Sequence, residues 1–307
     1  MSKPRVLFIM GPTASGKTEL GLRLADHRDV ALISVDSALI YRQMDIGTAK
    51  PDRETLARYP HGLIDILDPT EAYSAADFAA DATALIDQAL AEGRLPVLVG
   101  GTILYFKALA QGLAKLPEAD PVLRAELEMQ ASSLGWPAMH ERLTSLDPES
   151  GARLKPLDSQ RIQRALEVVL LTGRSITSFW REQEEKDLPW DILPLALMPS
   201  DRAELHRRIA LRYELMMEQG FQAEVEALRA RGDLHLGLPS MRCVGYRQMW
   251  QYLDGQFTEQ DMIDKSIVAT RQLAKRQLTW LRSWEGAVIA DPFDNSADLL
   301  TQTLRQI

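Results

Sequence analysis

The stretch GPTASGKT, Gly11 to Thr18, directly follows the apolar run Val6-Leu7-Phe8-Ile9-Met10. It meets the pattern G-x-x-x-x-G-K-[ST] at every required position, with a strand before it and a helical sequence after it. Glycines at 11 and 16 let the backbone curl until its N–H groups point inward at phosphate oxygens. The following helix adds the positive end of its dipole. Lys17 supplies a mobile cation, and the Thr18 hydroxyl is placed to ligate Mg²⁺. The whole loop, Gly11, Pro12, Thr13, Ala14, Ser15, Gly16, Lys17 and Thr18, is therefore a candidate phosphate or diphosphate site. The pattern names neither the phosphate compound nor the acceptor.

The rest of the first third continues the same architecture. Val30–Val35 is a second buried strand that ends at Asp36. Ser74-Ala75-Ala76-Asp77 reads as a capping box opening a helix to about Ala91. Leu95–Val99 is a third strand, closed by Gly100-Gly101, and a helix follows from Ile103. Near-continuous apolar strands alternating with helices predict a parallel sheet covered on both faces, an α/β fold of the P-loop NTPase type. Ligands in such sheets sit at the carboxyl ends of the strands. The P-loop, Asp36 and Gly100-Gly101-Thr102 are thus expected to converge. Asp36 suits either a metal-side carboxylate or a general base, and a turn-capping Asp is the plainer alternative.

From about Leu116 the texture changes. Helices dominate, the clearest being Val122–Ser132 and Gln160–Leu171, punctuated by five prolines up to Pro156. The apolar segment Ile192–Met198 then returns toward the sheet. Residues 1–115 and 187–307 are read as the catalytic core and 116–186 as an all-helical insertion domain. Beyond Asp201 the chain is again largely helical. There, Leu205, Ile209 and Met216 recur at helical spacing, and Arg212 falls in the same stripe. A cation on a core-facing stripe must snorkel out or meet an anion, and the phosphate site is one such place.

Net charge is −8, which taken alone disfavours nucleic acid as a partner. The charge is uneven, however. Between Lys265 and Trp284 stand Lys265, Arg271, Lys275, Arg276 and Arg282, with no acid among them. The one cysteine, Cys243, excludes an internal disulfide framework and a cysteine-built zinc site. It is expected to be a small buried residue rather than a nucleophile. Trp280 and Trp284, four apart on a helix, are expected to pack in the core. No apolar run approaches the roughly 18 residues of a membrane span. No signal peptide is expected, and the cytoplasm is the default location.

Five stretches together resemble one family. They are GPTASGKT, SVDSALIYRQMDIGTAKP (Ser34–Pro51), LPVLVGGTILYFKAL (Leu95–Leu109), LPSMRCVGYRQMW (Leu238–Trp250) and ATRQLAKRQLTWLR (Ala269–Arg282). The chain resembles the bacterial tRNA dimethylallyltransferases along nearly its whole length. That resemblance implies transfer of a dimethylallyl group from dimethylallyl diphosphate to N6 of the adenine 3′ of the anticodon. The tRNAs would be those reading codons that begin with U, and Mg²⁺ would assist. The loop would then hold a leaving pyrophosphate, with Thr18 and Arg212 among the catalytic groups and Asp36 taking a proton from the adenine amine. Flipping the adenine out of a single-stranded loop is cheap.

The resemblance also implies a set of tRNA contacts. Asp36, Ser37, Ala38 and Leu39 would meet the target base and its neighbours, with Thr102 close by. The anticodon stem-loop would be held by Arg124, by Gln160, Arg161, Ile162, Gln163 and Arg164, and by Met241, Arg242, Cys243, Val244, Gly245 and Tyr246. Lys275, Arg276 and Arg282 complete the set, and a monomer is expected. Arg161 and Arg164 share a helical face that suits adjacent phosphates, although a solvated face would look the same. Two other classes fit part of the sequence. A P-loop kinase of a small molecule or nucleoside would share the loop and Asp36, but would not need the basic stretch or the insertion. An RNA-binding protein with a vestigial loop would not need an intact GKT or Arg212.

Overall fold

The computed structural model describes residues 3–183, 187–294 and 299–305. The chain divides into two compact units, Met1–Ala110 together with Asp187–Ile307, and Gln111–Lys186. In chain order the first unit opens with β1 (Arg5–Met10), α1 (Lys17–Ala25), β2 (Val30–Val35) and α2 (Arg53–Arg58). It continues with β3 (His61–Gly62), α3 (Ala75–Ala91), β4 (Leu95–Gly100) and α4 (Ile103–Gln111). The second unit holds α5 (Pro121–Leu134), α6 (Trp136–Leu146), α7 (Pro148–Arg153), α8 (Ser159–Thr172) and α9 (Ile176–Arg181). The chain returns to the first unit with β5 (Asp191–Leu197), α10 (Arg202–Glu218) and α11 (Phe221–Ala230). A 3₁₀ turn (Ser240–Arg242), α12 (Tyr246–Leu253), α13 (Glu259–Leu281), β6 (Val288–Ala290) and α14 (Leu299–Leu304) complete it.

The six strands form one parallel sheet in the order β3-β2-β4-β1-β5-β6. The segment Ile192–Met198 does rejoin the sheet, as β5 beside β1. Burial on both faces explains why β1 is apolar from Val6 to Met10 rather than alternating. Its odd residues Leu7 and Ile9 pack with Leu20 and Leu24 of α1. Its even residues Val6, Phe8 and Met10 pack with Phe106 and Leu109 of α4 on the opposite face. Successive Cβ atoms of a strand point to opposite faces, so one run supplies both layers.

Register brings the strand ends level. Met10 and Val35 both pair with Gly100. Gly100 has no room for a side chain, because a Cβ there would lie 2.0 Å from the Val35 carbonyl oxygen. That close approach lets the Gly100 carbonyl accept the Gly11 N–H at 3.2 Å. The first residue of the phosphate loop is thereby pinned to the end of β4. The capping box at Ser74 forms as expected, with reciprocal bonds between Ser74 and Asp77. Among the described residues no helix is long and apolar enough to cross a membrane.

The helical unit has its own core, built on Leu127, Met139, Leu143, Ile162, Leu166 and Ile176. Its most constrained polar group is Glu167, whose side chain is fully buried. Burial pushes its pKa up. Hydrogen bonds from Arg124 and Arg164, and from the Asp120 N–H, outweigh this and hold the carboxyl below the usual glutamate range. A charge in a core survives only when so paired. Because the folded pKa is depressed, the stabilisation is complete above the ordinary glutamate pKa and is lost as pH falls through the folded value. Glu167→Ala is expected to destabilise this unit by about 2 kcal/mol, since it leaves the Asp120 N–H and two partly exposed arginines without their acceptor. Hydrogen exchange of the α5 and α8 amides, followed from about pH 6 to about pH 3, should show protection falling in the wild type and already low in the variant.

Candidate active site

The phosphate loop turns on two left-handed residues, Ala14 (φ 63°) and Gly16 (φ 82°). An alanine seldom adopts this conformation, so the surroundings must impose it. Ala14 packs against the cluster of Leu205 and Ile209 from α10 with Ala274 and Leu278 from α13. Three of the loop's own amides are engaged within the fold. Gly11 N–H goes to Gly100, Thr13 N–H to the Gln277 side chain at 3.0 Å, and Ser15 N–H to the Pro12 carbonyl at 3.3 Å. Pro12 has no amide hydrogen. The N–H groups of Lys17 and Thr18, in the first turn of α1, have no helical acceptor and remain for an anion. The Ser15 hydroxyl is buried without a hydrogen-bond partner among the described residues.

Lys17 folds its ammonium back onto the Pro12 carbonyl at 3.2 Å. Burial lowers its pKa to about 8; Asp36 opposes the shift and Arg212 adds to it. Arg212 does not snorkel. From α10, where Leu205, Ile209, Tyr213 and Met216 are buried, it reaches the Thr13 hydroxyl at 2.8 Å and the Thr48 carbonyl at 3.1 Å. Burial lowers its pKa as well, offset in part by Tyr213 and Asp36.

Asp36 follows β2. One carboxylate oxygen accepts the Ala38 N–H at 2.9 Å, a turn cap, and the other accepts no hydrogen bond among the described residues. Capping and chemistry are therefore compatible in one side chain. Beside it the Ser37 N–H donates to the Thr102 hydroxyl at 3.1 Å, and the Thr102 N–H donates to the Val35 carbonyl at 3.2 Å. The strand-end groups do meet in space. The Cys243 thiol is partly buried, and burial and then the charge of Asp36 push it up to about 12. It is not a thiolate nucleophile. Burial also raises Tyr41, to about 12, and Tyr105, so both remain neutral hydroxyls.

The stretch 34–51 is held by two groups that periodicity did not single out. Glu224 accepts the N–H groups of Asp45, Ile46 and Gly47 at 2.9, 2.7 and 3.1 Å, and the Tyr246 hydroxyl. Lys50 is buried and donates to the Tyr41 carbonyl, Asp45 and Asp65. Glu224 carries the same signal as Arg212, a charge beside the apolar stripe Phe221, Val225 and Leu228. Gln277 borders the buried stripe Thr270, Ala274 and Leu278 in the same way.

The expected tRNA-facing residues divide. Gln160, Arg161, Arg242, Lys275, Arg276 and Arg282 are exposed. Of these, Arg161 pairs with Asp158, whereas Lys275, Arg276 and Arg282 meet no acid among the described residues. Arg124 and Arg164 instead turn onto Glu167, and Arg164 also onto the Pro117 carbonyl. Gln163 bonds to the Arg124 carbonyl and Glu128. Ile162 lies in the helical core, and Met241 and Tyr246 lie in a core with Ile40, Tyr41 and Met44. Leu39 and Val244 are half-buried, and Gly245 is buried with φ 96°. Trp284 packs edge-on against Phe8 and Phe106 as expected. Trp280 does not join the core: it is 47% exposed, with the Lys107 ammonium 4.3 Å from its ring centroid. The buried stripe of α13 runs through Leu278 and Leu281 and leaves position 280 outside.

Known proteins match this chain along almost all of it. The IPP transferase family profile matches residues 39–284. A tRNA dimethylallyltransferase of Janthinobacterium sp. (strain Marseille) is 58% identical over 290 residues, 94% of this chain and 92% of that protein. The structure of the tRNA isopentenylpyrophosphate transferase of Bacillus halodurans is 37% identical, covers 99% of this chain and 94% of its own, and superposes with a TM-score of 0.70. The corresponding transferase of Staphylococcus epidermidis is 30% identical, with 99% of both chains covered and a TM-score of 0.70.

The lowered pKa of Lys17 predicts a pH dependence. The ammonium is charged below about 8 and neutral above it. Affinity for inorganic pyrophosphate should fall as pH rises through that value, beyond what the ionisation of the ligand itself produces. Calorimetric titration of wild type and Lys17→Met over that range checks this: the variant should bind weakly and lack the step.

Proposed function

The chain belongs to the IPP transferase family and is a tRNA dimethylallyltransferase by kinship; from that premise we propose how its residues carry out the transfer. The donor is dimethylallyl diphosphate, and the acceptor is N6 of the adenine 3′ of the anticodon, in tRNAs that read codons beginning with U. The products are N6-isopentenyladenosine and pyrophosphate, and the reaction runs in the cytoplasm. The observation that carries this reading is electrostatic. Lys17 and Arg212 both bond to one loop, at Pro12 and Thr13, the sheet register sets Asp36 at the same strand edge, and its charge reaches both cations. An anion grip and a base therefore lie within reach of one another.

The diphosphate sits on the helix-start amides, Lys17 and Arg212. Charge builds on it as the allylic C–O bond breaks, and these donors stabilise that charge more than they stabilise the bound donor. The allylic carbon carries partial positive charge and meets the adenine amine. The amine is a weak nucleophile because its lone pair is delocalised into the ring. Asp36 takes its proton as the C–N bond forms. The neutral tyrosines 41 and 105 and the protonated Cys243 place no further negative charge near that carboxylate. The donor set also fits Mg²⁺. Among the described residues no cluster of three His, Cys, Asp or Glu could cage a metal, so the ion would be held by the Thr18 hydroxyl, water and the diphosphate itself. When bound it would neutralise charge on the leaving group.

For the anticodon stem-loop, the first unit offers Arg242, Lys275, Arg276 and Arg282, with Ser37 and Thr102 near the target base. The helical unit offers Gln160 and Arg161. Phosphate contacts of this kind position the RNA without reading its sequence.

The decisive assay supplies labelled dimethylallyl diphosphate and unmodified tRNA, with ATP in a parallel reaction. Label should enter tRNA, and ATP should not be consumed; the reverse result identifies a kinase. Asp36→Ala should lower kcat by roughly 10²- to 10⁴-fold with tRNA affinity nearly unchanged, since it removes a base. A pure binding defect would count against that role. Arg212→Ala should lower kcat and raise KM for the diphosphate together, because it removes contacts to both the bound donor and the departing pyrophosphate.

A further inference from the structure

Gln277 lies on α13, in a half-buried position one residue before the buried Leu278. Its side-chain oxygen accepts the Thr13 N–H at 3.0 Å, and its side-chain nitrogen donates to the Gly101 carbonyl at 2.9 Å. One amide thus joins the loop after β1 to the turn after β4. We infer that Gln277 is a positioning residue for the transfer: it clamps the phosphate loop to the β4 turn and sets the geometry in which the loop holds a diphosphate. The inference rests on the proposed function, because that is what assigns a diphosphate to the loop.

The side-chain type matters. The task requires a donor and an acceptor on one planar group, which an amide provides and a carboxylate or ammonium does not. Asparagine has the group but is one carbon shorter. The fit is close, since a Cβ at Gly101 would lie 2.4 Å from the Gln277 nitrogen. The helix carrying the clamp is itself anchored on the loop, with Ala274 and Leu278 packed in one cluster with Ala14. Thr13 is then held at two points, its N–H by Gln277 and its hydroxyl by Arg212. The clamp withdraws the Thr13 amide from any ligand and leaves the anion to the amides at the start of α1. It also fixes the partner that holds Arg212 in place. Without it the Thr13 N–H and the Gly101 carbonyl lose their partner together, and the loop can rotate.

Two variants test this in the full chain. Gln277→Leu keeps the volume and removes both hydrogen bonds. Gln277→Glu keeps the acceptor for Thr13 at neutral pH but loses the donor and adds a negative charge. Calorimetry with dimethylallyl diphosphate should show about tenfold weaker binding for Gln277→Leu, with tRNA affinity within about twofold of wild type. Gln277→Glu should bind more weakly still at neutral pH. Once protonated, its carboxyl regains both a donor and an acceptor. The ratio of Gln277→Glu to wild-type affinity should therefore rise as pH falls through the ordinary glutamate range, about 4 to 5, while the ratio for Gln277→Leu stays flat. A role in stability alone would move Tm without this pH-dependent rescue. Wild-type affinity in Gln277→Leu, or a flat ratio in Gln277→Glu, overturns the clamp alone. If the wild type itself fails to bind dimethylallyl diphosphate, the clamp and the proposed function fall together.

Discussion

Two cations, Lys17 and Arg212, stand half-buried at one loop, and Asp36 is the carboxylate whose charge reaches both. Desolvated like charges repel, and one acid at a distance does not neutralise two of them. The arrangement persists because the surrounding fold over-determines it. Sheet register aligns Met10, Val35 and Gly100, which sets the loop and Asp36 at one edge. Packing of Ala14 against α10 and α13 holds the loop in a conformation alanine does not choose. In the proposed reaction that unmet positive charge is what a diphosphate would answer, most strongly as it departs.

The same logic separates groups that serve the site from groups that serve the fold. Glu224 is half-buried and the Lys50 side chain almost fully so, and their bonds go to backbone groups of the stretch 41–47, to Asp45 and Asp65 and to the Tyr246 hydroxyl. They shape the stretch 34–51, whose Thr48 carbonyl in turn receives Arg212. Arg124 and Arg164 likewise answer a charge inside the helical unit. Arg212 differs because its partners are a hydroxyl and a carbonyl, neutral groups that leave its charge available.

Much of this is legible in the sequence. Strand runs, the capping box at Ser74 and the return of Ile192–Met198 to the sheet follow from apolar pattern and local hydrogen bonding. Arg212 stood out because a cation on a buried stripe needs a reason. Glu224 and Gln277 sit on their stripes in a comparable way, but a carboxylate or amide bordering a core is common. Only the partners show which ones matter. The arginines at 124 and 164 could not be assigned from helical spacing, since a phosphate and a buried glutamate suit a guanidinium equally well. Trp280 went the other way: spacing of four from Trp284 suggests a shared helical face, but α13 ends at Leu281, so Trp284 reaches the core from beyond the helix while Trp280 stays on its outer side.

Local chemistry alone determined that this chain makes a phosphate loop on a parallel sheet, because a glycine-lysine-threonine turn between an apolar strand and a helix has few other uses. The five motifs, taken together, determined the family. Tertiary structure decided which loop amides are free, which arginines carry unanswered charge, and that one glutamine side chain bridges two strand-end loops. These depend on groups some 90 to 260 residues apart meeting within about 3 Å, the range of a hydrogen bond. No periodicity along the chain encodes that distance; it is set by register and packing.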